Sequence, residues 1–288
     1  MAHFLRMLRG RLCRLVLCSI LSVPFVTTAT ATDAAKQNQR YYRPRSSATV
    51  APRRSGEPVV VNAASFLPGI CPGGLATVFG QNLTTVSGAV LANTNPLPTT
   101  LAGVEVDVNG IAAPIFSIAF ANGQDQISFQ VPYRTDTGPG AALVEIFDFG
   151  DRVGSTVVDS FIEDPGIFAY GAASYAVAVH LDGTLVGLSN PAAAGEIIIL
   201  FATALGPLTL DLPDGYGAPS NPLAYTVDPF RAIIDGEDCQ VLFSGLGPGF
   251  VGLYQLNLRL PFDLRSGNLP IQITTSYANS QVAILPVF

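Results

Sequence analysis

The residues able to carry chemistry are few in this chain. His180 is the one histidine after residue 31, and it stands between the apolar segment YAVAV and the turn-forming pair Asp182-Gly183. This position predicts a residue at a strand end beside a turn. No Gly-x-Ser-x-Gly, His-Glu-x-x-His or Cys-x-x-Cys motif occurs. The sequence therefore predicts no catalytic residue and no cofactor or zinc site.

Acidic residues offer the best inorganic site. Asp235, Glu237 and Asp238 crowd one turn, and Glu163 and Asp164 lie together elsewhere. Loop carboxylates of this kind bind calcium in extracellular modules. None of these acidic turns contains a complete set of calcium ligands, and acidic turns are commonly only solvated. Calcium binding is therefore an alternative to a simple solvated turn. A pair of acids is also what a glycoside hydrolase needs, but no spacing marks one pair.

Tyrosines allow a second kind of ligand. The chain has no tryptophan, and most of its 17 phenylalanines fall on apolar segments that predict core positions. The candidates for a glycan-binding platform near turns are Tyr170, Tyr216, Tyr225 and Tyr277. The glycine-rich segment 244–252, SGLGPGFVG, lacks the Gly-Lys-Ser/Thr of a phosphate-binding loop, so it predicts a tight connection between strands.

The two cysteines after residue 31 are Cys71 and Cys239. They fall in different halves of the chain, and the sequence does not place them within the few ångströms that a disulfide needs. The sequence therefore allows either a disulfide between them or two unpaired thiols.

An internal repeat organises the elements that position these residues. DQISFQVP at 125–132 and YQLNLRLP at 254–261 both alternate apolar and polar residues, which predicts strands with one buried face, and both end at proline. GLATVFGQNL at 74–83 matches EIIILFATAL at 196–205, and VEVDVNG at 104–110 matches FRAIIDG at 230–236. The final Asn-Gly and Asp-Gly favour two-residue hairpin turns. The shared order indicates a duplicated unit.

Each half therefore contains about seven short strands separated by turns, without a convincing helical period. This pattern predicts an all-β chain of two tandem antiparallel β-sandwiches. Module 1 is expected at residues 57–165 and module 2 at residues 166–288.

The N-terminus predicts export. Arginines, the apolar run LVLCSILSVPFV and Ala29-Thr30-Ala31 form the pattern of a secretory signal peptide over residues 1–31. The apolar run is shorter than the roughly 20 residues of a membrane span, so no transmembrane span is expected in the mature chain. Residues 32–56 are polar and basic, which predicts a disordered linker and allows a tether to an anionic surface. The mature chain is expected to be secreted or at the cell surface.

Charge excludes one class of partner. From Glu57 onward the chain has five arginines, no lysine and twenty acidic residues, a net charge of −15. Such a surface repels phosphate backbones, so binding of nucleic acid by the two modules is excluded.

Several segments resemble those of the Solibacter-type uncharacterised C-terminal domain family, which is abundant in exported proteins of acidobacteria. In chain order they are VNAASFLPGICPGGLATVFGQNL, QISFQVP, DPGIF, SNPAAAGE, LFATALGP and FSGLGPGFVGLYQLNLRLP. The first block is also similar to the start of an IPT/TIG immunoglobulin-like module. The resemblance runs from about Val59 to Phe288 and implies an exported pair of immunoglobulin-like β-sandwiches. It implies no known activity and no functional residue.

The sequence thus favours a non-enzymatic extracellular module for adhesion, surface attachment or protein interaction, with a protein or cell-envelope partner. The alternative is an accessory module that binds carbohydrate or calcium. An enzyme ranks third, because it would need a cleft with two facing carboxylates of raised pKa.

Overall fold

Short strands joined by turns make up the fold. The computed structural model describes residues 56–135 and 140–288, and these ranges contain no helix. The all-β prediction is therefore confirmed. The predicted signal peptide, and the predicted linker up to residue 55, lie outside the described residues. No described helix is long and apolar enough to cross a membrane.

Module 1 forms two sheets. Its strands are β1 (Val59–Asn62), β2 (Leu75–Gly80), β3 (Ala89–Leu91), β4 (Thr100–Leu101), β5 (Val104–Val108), β6 (Ile111–Ala112), β7 (Ile115–Ala121), β8 (Gln124–Gln130), β9 (Gly140–Asp148) and β10 (Asp151–Ser160). One sheet has the order β1-β2-β8-β7-β3. The other has the order β10-β9-β5-β4, with β6 also paired to β5.

Module 2 also forms two sheets. Its strands are β11 (Gly166–Ile167), β12 (Ala169–Tyr170), β13 (Tyr175–Ala176), β14 (Ala178–His180), β15 (Ile197–Thr203), β16 (Arg231–Ile234), β17 (Glu237–Asp238), β18 (Gln240–Leu246), β19 (Tyr254–Arg259), β20 (Gly267–Thr274) and β21 (Ala283–Val287). The orders are β11-β15-β19-β18, with β14 also on β15, and β12-β13-β21-β20-β16-β17.

The strand orders of the two modules correspond. The order β14-β15-β19-β18 repeats β1-β2-β8-β7, and β21-β20-β16-β17 repeats β10-β9-β5-β6. These are the A-B-E-D and G-F-C-C′ sheets of an immunoglobulin sandwich. Both modules are therefore immunoglobulin-like β-sandwiches. Pairing is antiparallel except at short contacts such as the parallel pair of Tyr175 with Ile284.

The two predicted hairpin turns are present. Asn109 and Gly110 have φ values of 52° and 75°, and Asp235 and Gly236 have values of 51° and 93°. Two successive positive φ values are what a tight hairpin between twisted strands requires. Each turn joins strand C to the short strand C′ of its module.

A third core lies between the modules, in addition to one core inside each sandwich. Module 2 contributes Phe168, Ile199 and Phe201, among others, and module 1 contributes Ala64 and Leu75. Strand β15 is consequently buried on both faces, because its alternate residues belong to the core of module 2.

The expectation of one buried face per strand also fails in module 1. Ser128 and Gln130 on β8 are buried, although they lie opposite the core residues Ile127 and Phe129. The reason for Gln130 is a long segment of module 2 that packs over it, as described below.

Candidate functional site

Polar contacts fix the junction between the modules. The hydroxyl of Thr203 accepts a hydrogen bond from the amide of Leu75 at 2.9 Å and donates one to the carbonyl of Gly252 at 2.8 Å. The side-chain amide of Asn62 donates to the carbonyl of Asp164, in the link between β10 and β11, at 2.6 Å. Buried groups that are satisfied across an interface are costly to separate, so the bond between Thr203 and Leu75 stabilises the junction.

The chain between strands B and C, called here the BC segment, differs between the modules. In module 2 it covers residues 204–230 and reaches module 1. There the amide of Gly215 donates to Gln130 Oε1 at 2.7 Å, and the amide of Leu97 donates to the carbonyl of Gly215 at 2.8 Å. The amide of Tyr133 donates to Asp214 Oδ1 at 2.7 Å. This BC segment is therefore part of the junction.

The BC segment of module 1, residues 81–103, has another path. It contains β3, which pairs with the edge strand β7 from Ala89 opposite Ala119 to Leu91 opposite Ser117. In module 2 the corresponding edge strand is β18. It meets its BC segment at one bridge, Tyr225 with Gly245, and no described strand pairs with its outer edge.

A shallow, open groove lies beside the uncovered part of β18. Residues 225–230 form one wall and residues 241–244 the other, its lining is partly polar and partly apolar, and its volume is about 350 Å³. Tyr225, Val227 and Leu242 are 45%, 55% and 45% exposed. Large apolar side chains at this exposure, next to a free strand edge, are typical of a binding surface.

Local contacts join the two walls at one end of the groove. The rings of Tyr225 and Phe243 lie 5.4 Å apart, and the hydroxyls of Thr226 and Ser244 are hydrogen-bonded at 2.9 Å. The amide of Thr226 also donates to the carbonyl of Ser244. These contacts close one end of the β18 edge and leave Gln240 to Phe243 uncovered.

Strand β10 of module 1 is also an edge, but its chemistry differs. It carries Asp151, Arg152 and Asp159, and its register shifts between Arg152 and Gly154. Charges on an edge discourage pairing with another chain. The sequence of β18, QVLFSGL, has no charged residue. Strand β18 has one register shift too, between Val241 and Phe243, so the two edges differ in charge and not in regularity.

The two aspartates of the predicted calcium site are paired with arginines. Asp235 is paired with Arg265 through two hydrogen bonds of 2.6 and 2.8 Å. Asp238 is paired with Arg231 through two bonds of 2.8 and 2.6 Å, and Glu237 is exposed. The arginines lower the pKa of both aspartates. Because each aspartate already has a cationic partner, the turn does not present converging free carboxylates.

The predicted tyrosine platform is dispersed over different elements. Tyr170 packs on Tyr175 with ring centres 5.8 Å apart, and its hydroxyl donates to the carbonyl of Val186 at 3.2 Å. Tyr216 is exposed on the BC segment, and Tyr277 lies between β20 and β21. Tyr225 is the one of the four that lines the groove.

His180 ends β14 beside a turn, as the sequence predicts. Its Nδ1 lies 2.5 Å from Glu196 Oε1, and its Nε2 lies 3.2 Å from the carbonyl of Asn190. Glu196 also accepts a hydrogen bond from the amide of Ala193 at 2.8 Å. These contacts tie the loop before β15 to β14, and no serine is among the hydrogen-bond partners of His180.

Both cysteines are free and buried. Cys71 lies at the junction, where its thiol donates to the carbonyl of Ile162 at 3.2 Å. Burial raises its pKa strongly, and the charge of Asp164 raises it further. Burial likewise raises the pKa of Cys239 to about 12. Neither thiol is a nucleophile at neutral pH, because the reactive form is the thiolate.

Glu163 is the most unusual carboxylate of the described residues. Its side chain is 2% exposed, and neither carboxylate oxygen has a hydrogen-bond partner. The sequence places Glu163 beside Asp164, but the second carboxylate near it belongs to Asp228 of the BC segment. No sequence signal links these two residues, because the path of an irregular segment decides their contact.

No family model and no curated protein matches the chain. The resemblance to the Solibacter-type family stays a prediction. Among solved structures, the chain is similar to SGBP-B from the mixed-linkage glucan utilization locus of Bacteroides ovatus, determined with a mixed-linkage heptasaccharide. The identity is 13%, the alignment covers 76% of this chain and 42% of that one, and the TM-score is 0.29.

Two tandem immunoglobulin proteins are also similar. A titin tandem has 11% identity over 76% of this chain and 62% of that one, with a TM-score of 0.21. The tandem Ig repeats of Dlar have 12% identity over 81% and 99%, with a TM-score of 0.17. The chain spans less than half the length of the glucan-locus protein. TM-scores this low carry no argument about function.

Proposed function

We propose that this chain is a non-enzymatic extracellular interaction module that binds an extended segment of a partner protein along β18. The observation that supports this most is the edge of Gln240 to Phe243, which has no charged residue and no described strand paired to it. The predicted signal peptide at residues 1–31 supports a place outside the cell or at its surface. Adhesion or surface attachment would then follow from the identity of the partner.

Strand addition combines two sources of binding energy. The backbone amides and carbonyls of an edge strand pair with an incoming segment whatever its sequence. The groove beside the edge receives alternate side chains of that segment, because successive side chains of a strand point to opposite faces. A groove of about 350 Å³ is large enough for one or two apolar side chains.

Charge indicates the chemistry of the partner. Asp228 lies on the groove wall, and the two modules carry a net charge of −15. A segment with basic residues is attracted to this surface and approaches it faster than an acidic one. The proposed partner segment therefore alternates apolar and basic residues.

Two peptides of equal length test the proposal, one alternating valine with arginine and one alternating valine with glutamate. We expect the basic peptide to bind and to slow hydrogen exchange at the amides of residues 240–244. Leu242→Lys places a charge on the edge and should abolish this protection. Phe120→Lys on β7 is the matched control, since Phe120 is exposed on a strand that β3 already covers; it should bind as the wild type does.

Three results would contradict the proposal: no binding of the basic peptide, equal binding of both peptides, or protection that persists in Leu242→Lys. Each points away from the β18 edge as a site for an extended basic segment.

A carbohydrate-binding function is the second candidate, and the half-exposed ring of Tyr225 in the groove favours it. Sugars stack on exposed aromatic faces. A mixed-linkage gluco-oligosaccharide that shifts the NMR signals of Tyr225, with loss of the effect in Tyr225→Ala, would support this alternative. The same result without peptide binding would replace the first proposal.

A further inference from the structure

The junction joins two particular ends of the sandwiches. We call the end at which strand B begins and strand E ends the lower end of a module, and the opposite end its upper end. The amide of Leu75, at the start of β2, donates to Thr203, at the end of β15. A Cβ added to Gly252, just before β19, would lie 2.9 Å from the Leu75 side chain. The lower end of module 1 thus packs on the upper end of module 2.

The lower ends of the two modules are built alike. In module 1 the ring of Tyr133 lies against Gly73, and in module 2 the ring of Phe262 lies against Gly195, so closely that a Cβ on either glycine would collide with the ring. The two glycines have φ values of 75° and 76°. The two pairs hold equivalent positions of the sequence repeat, directly before strand B and directly after strand E.

Backbone hydrogen bonds repeat this equivalence. The amide of Val131 donates to the carbonyl of Gly74 at 2.9 Å, and the amide of Leu260 donates to the carbonyl of Glu196 at 2.8 Å. Each bond joins the residue after strand E to the residue before strand B. The same surface, called here the lower-end surface, therefore occurs once in each module.

The two lower-end surfaces differ in what covers them. In module 1 the BC segment of module 2 lies over Tyr133, whose amide donates to Asp214 and whose hydroxyl is closed to solvent. In module 2 the ring of Phe262 is 76% exposed. The chain thus buries one lower-end surface against a sandwich and leaves the other uncovered by any described residue.

Further apolar side chains enlarge the uncovered surface of module 2. Phe288 and Leu188 are 69% and 66% exposed. The amide of Phe288 donates to the carbonyl of Ala192 at 3.0 Å, three residues before Gly195, and Leu188 lies in the turn just before Ala192. Large apolar side chains that are exposed together in this way are typical of an interaction surface.

The upper end of module 1 offers the matching surface. Gly123, just before β8, corresponds to Gly252, but a Cβ added to Gly123 would have no described atom within 4 Å. Phe149 is 75% exposed at the same end, where its amide donates to the carbonyl of Gly103 at the close of the BC segment. Each chain thus has one free lower end and one free upper end among its described residues.

We propose that copies of this chain dock end to end, with the lower end of module 2 of one copy on the upper end of module 1 of the next. The junction supports a second copy as the occupant, because a lower-end surface of this kind already binds the upper end of a sandwich from the same repeat. The contact is heterologous, so it leaves a free end on each outer copy and extends into open linear chains. It does not involve β18.

Two features set the strength of this contact. The BC segment of module 1 folds back as β3, so the upper end of module 1 lacks the arm that Asp214 and Gly215 extend across the junction. The modules of each copy also carry a net charge of −15, so the copies repel each other. The contact should therefore be weaker than the junction, reversible, and strengthened by salt, which screens the repulsion.

Sedimentation velocity of the purified chain tests the proposal. We expect the mean mass to rise steadily with protein concentration, and to rise further when salt is added. Phe262→Asp at the lower end and Phe149→Asp at the upper end should each raise the dissociation constant at least about thirtyfold, as for the loss of a central contact of an interface. Val157→Asp in the middle of β10 is the matched control, because Val157 is 60% exposed away from both ends, and it should associate as the wild type does.

The decisive experiment mixes the two end variants. Phe149→Asp keeps the lower end of module 2 intact, and Phe262→Asp keeps the upper end of module 1 intact, so the mixture should form one-to-one pairs that grow no further. A contact between two lower ends would instead let Phe149→Asp associate alone. That result would overturn the proposal, as would a mixture or a wild type that stays monomeric at every concentration and salt.

Two further variants keep these outcomes distinct from misfolding and from the proposed binding at β18. Leu188→Asp replaces Phe262→Asp if the latter fails to fold, because Leu188 lies in an exposed turn of the same end. Leu242→Lys places a charge on the β18 edge and should associate as the wild type does. Loss of association in Leu242→Lys would overturn the proposal and assign self-association to β18.

Discussion

The BC segments of the two modules connect equivalent strands along different paths. In module 1 the segment folds back as β3 and covers the edge of its own sheet. In module 2 the segment extends to module 1 through Asp214 and Gly215, and its backbone pairs with β18 only around Tyr225. One change of path thus accounts for three features: part of the junction, the open edge of β18 and the closeness of Asp228 to Glu163.

This difference shows that the strands form the sandwich core, whereas the BC segments determine what surrounds it. The strand order and the C–C′ turns are the same in both modules, because each sandwich needs them to close its core. The BC segments lie outside that requirement, so they can differ without loss of the sandwich. The following predictions test how far module 2 depends on the path of its segment.

The largest effect is expected from Phe201→Ala. Phe201 is fully buried in the core between the modules, and removal of a buried phenylalanine side chain costs about 3–5 kcal/mol. Urea unfolding should show a lower midpoint and two separated transitions in place of one. Phe120→Ala, at an exposed position of β7, is the control and should change little. A single unshifted transition in Phe201→Ala would mean that the modules hold together without this core.

A smaller effect is expected from Thr203→Val, which keeps the size of the side chain. The change leaves the amide of Leu75 and the carbonyl of Gly252 without their partner, at about 1–3 kcal/mol for each buried group. Denaturant unfolding measures the loss. Thr100→Val removes an exposed hydrogen bond to Glu105 and should cost far less. Equal losses in the two variants would contradict a polar contribution of the junction.

The pH dependence of stability should reveal the raised pKa of Glu163. The folded state raises the pKa of Glu163, so it binds the proton more tightly than the unfolded chain, whose glutamate pKa is about 4.3. This contribution is fully present below the unfolded pKa and is lost as the pH rises through the folded pKa. Glu163→Gln should flatten this decline in unfolding experiments across the pH range.

The control for this experiment is Glu237→Gln on β17, which removes an exposed acid from the same module. Its pH profile should follow that of the wild type. A decline of equal slope in Glu163→Gln and in the wild type would show that other groups cause it.

The smallest effect concerns the thiols. Both cysteines are buried with raised pKa values, so neither should react with a thiol reagent in the folded wild type. In Phe201→Ala, Cys71 at the junction should become labelled before Cys239, because separation of the modules exposes it first. Mass spectrometry of the labelled chain gives the order. Labelling of Cys239 first would indicate that module 2 opens before the junction does.

The sequence predicted the strands and their turns well, because these depend on local patterns. The alternation in QISFQVP and YQLNLRLP, and the Asn-Gly and Asp-Gly pairs, specify strands and positive φ values without knowledge of distant contacts. The second buried face of β15 had a signal, since the unbroken run IIILFA at 197–202 does not alternate. Such a run is typical of a strand covered on both sides.

The sites were harder to predict. The acidic turn at Asp235 to Asp238 drew attention because its residues are neighbours in sequence, but Arg231 and Arg265 neutralise its aspartates. Arg231 and Asp238 lie close because β16 pairs with β17, which the hairpin register decides. Glu163 and Asp228 meet only through the fold, as do Tyr225 and Phe243. Periodicity contains no information about the course of an irregular segment, so neither contact followed from the sequence.

The double-sided burial of β15 has a practical consequence for anyone who shortens this chain. A fragment that starts after residue 165 would present Ile199 and Phe201 to water, so it should precipitate or self-associate even though every strand of a complete sandwich is encoded in it. Although the sequence repeat suggests a self-contained unit, module 2 is not expected to be soluble on its own. The smallest fragment suitable for expression therefore contains both modules.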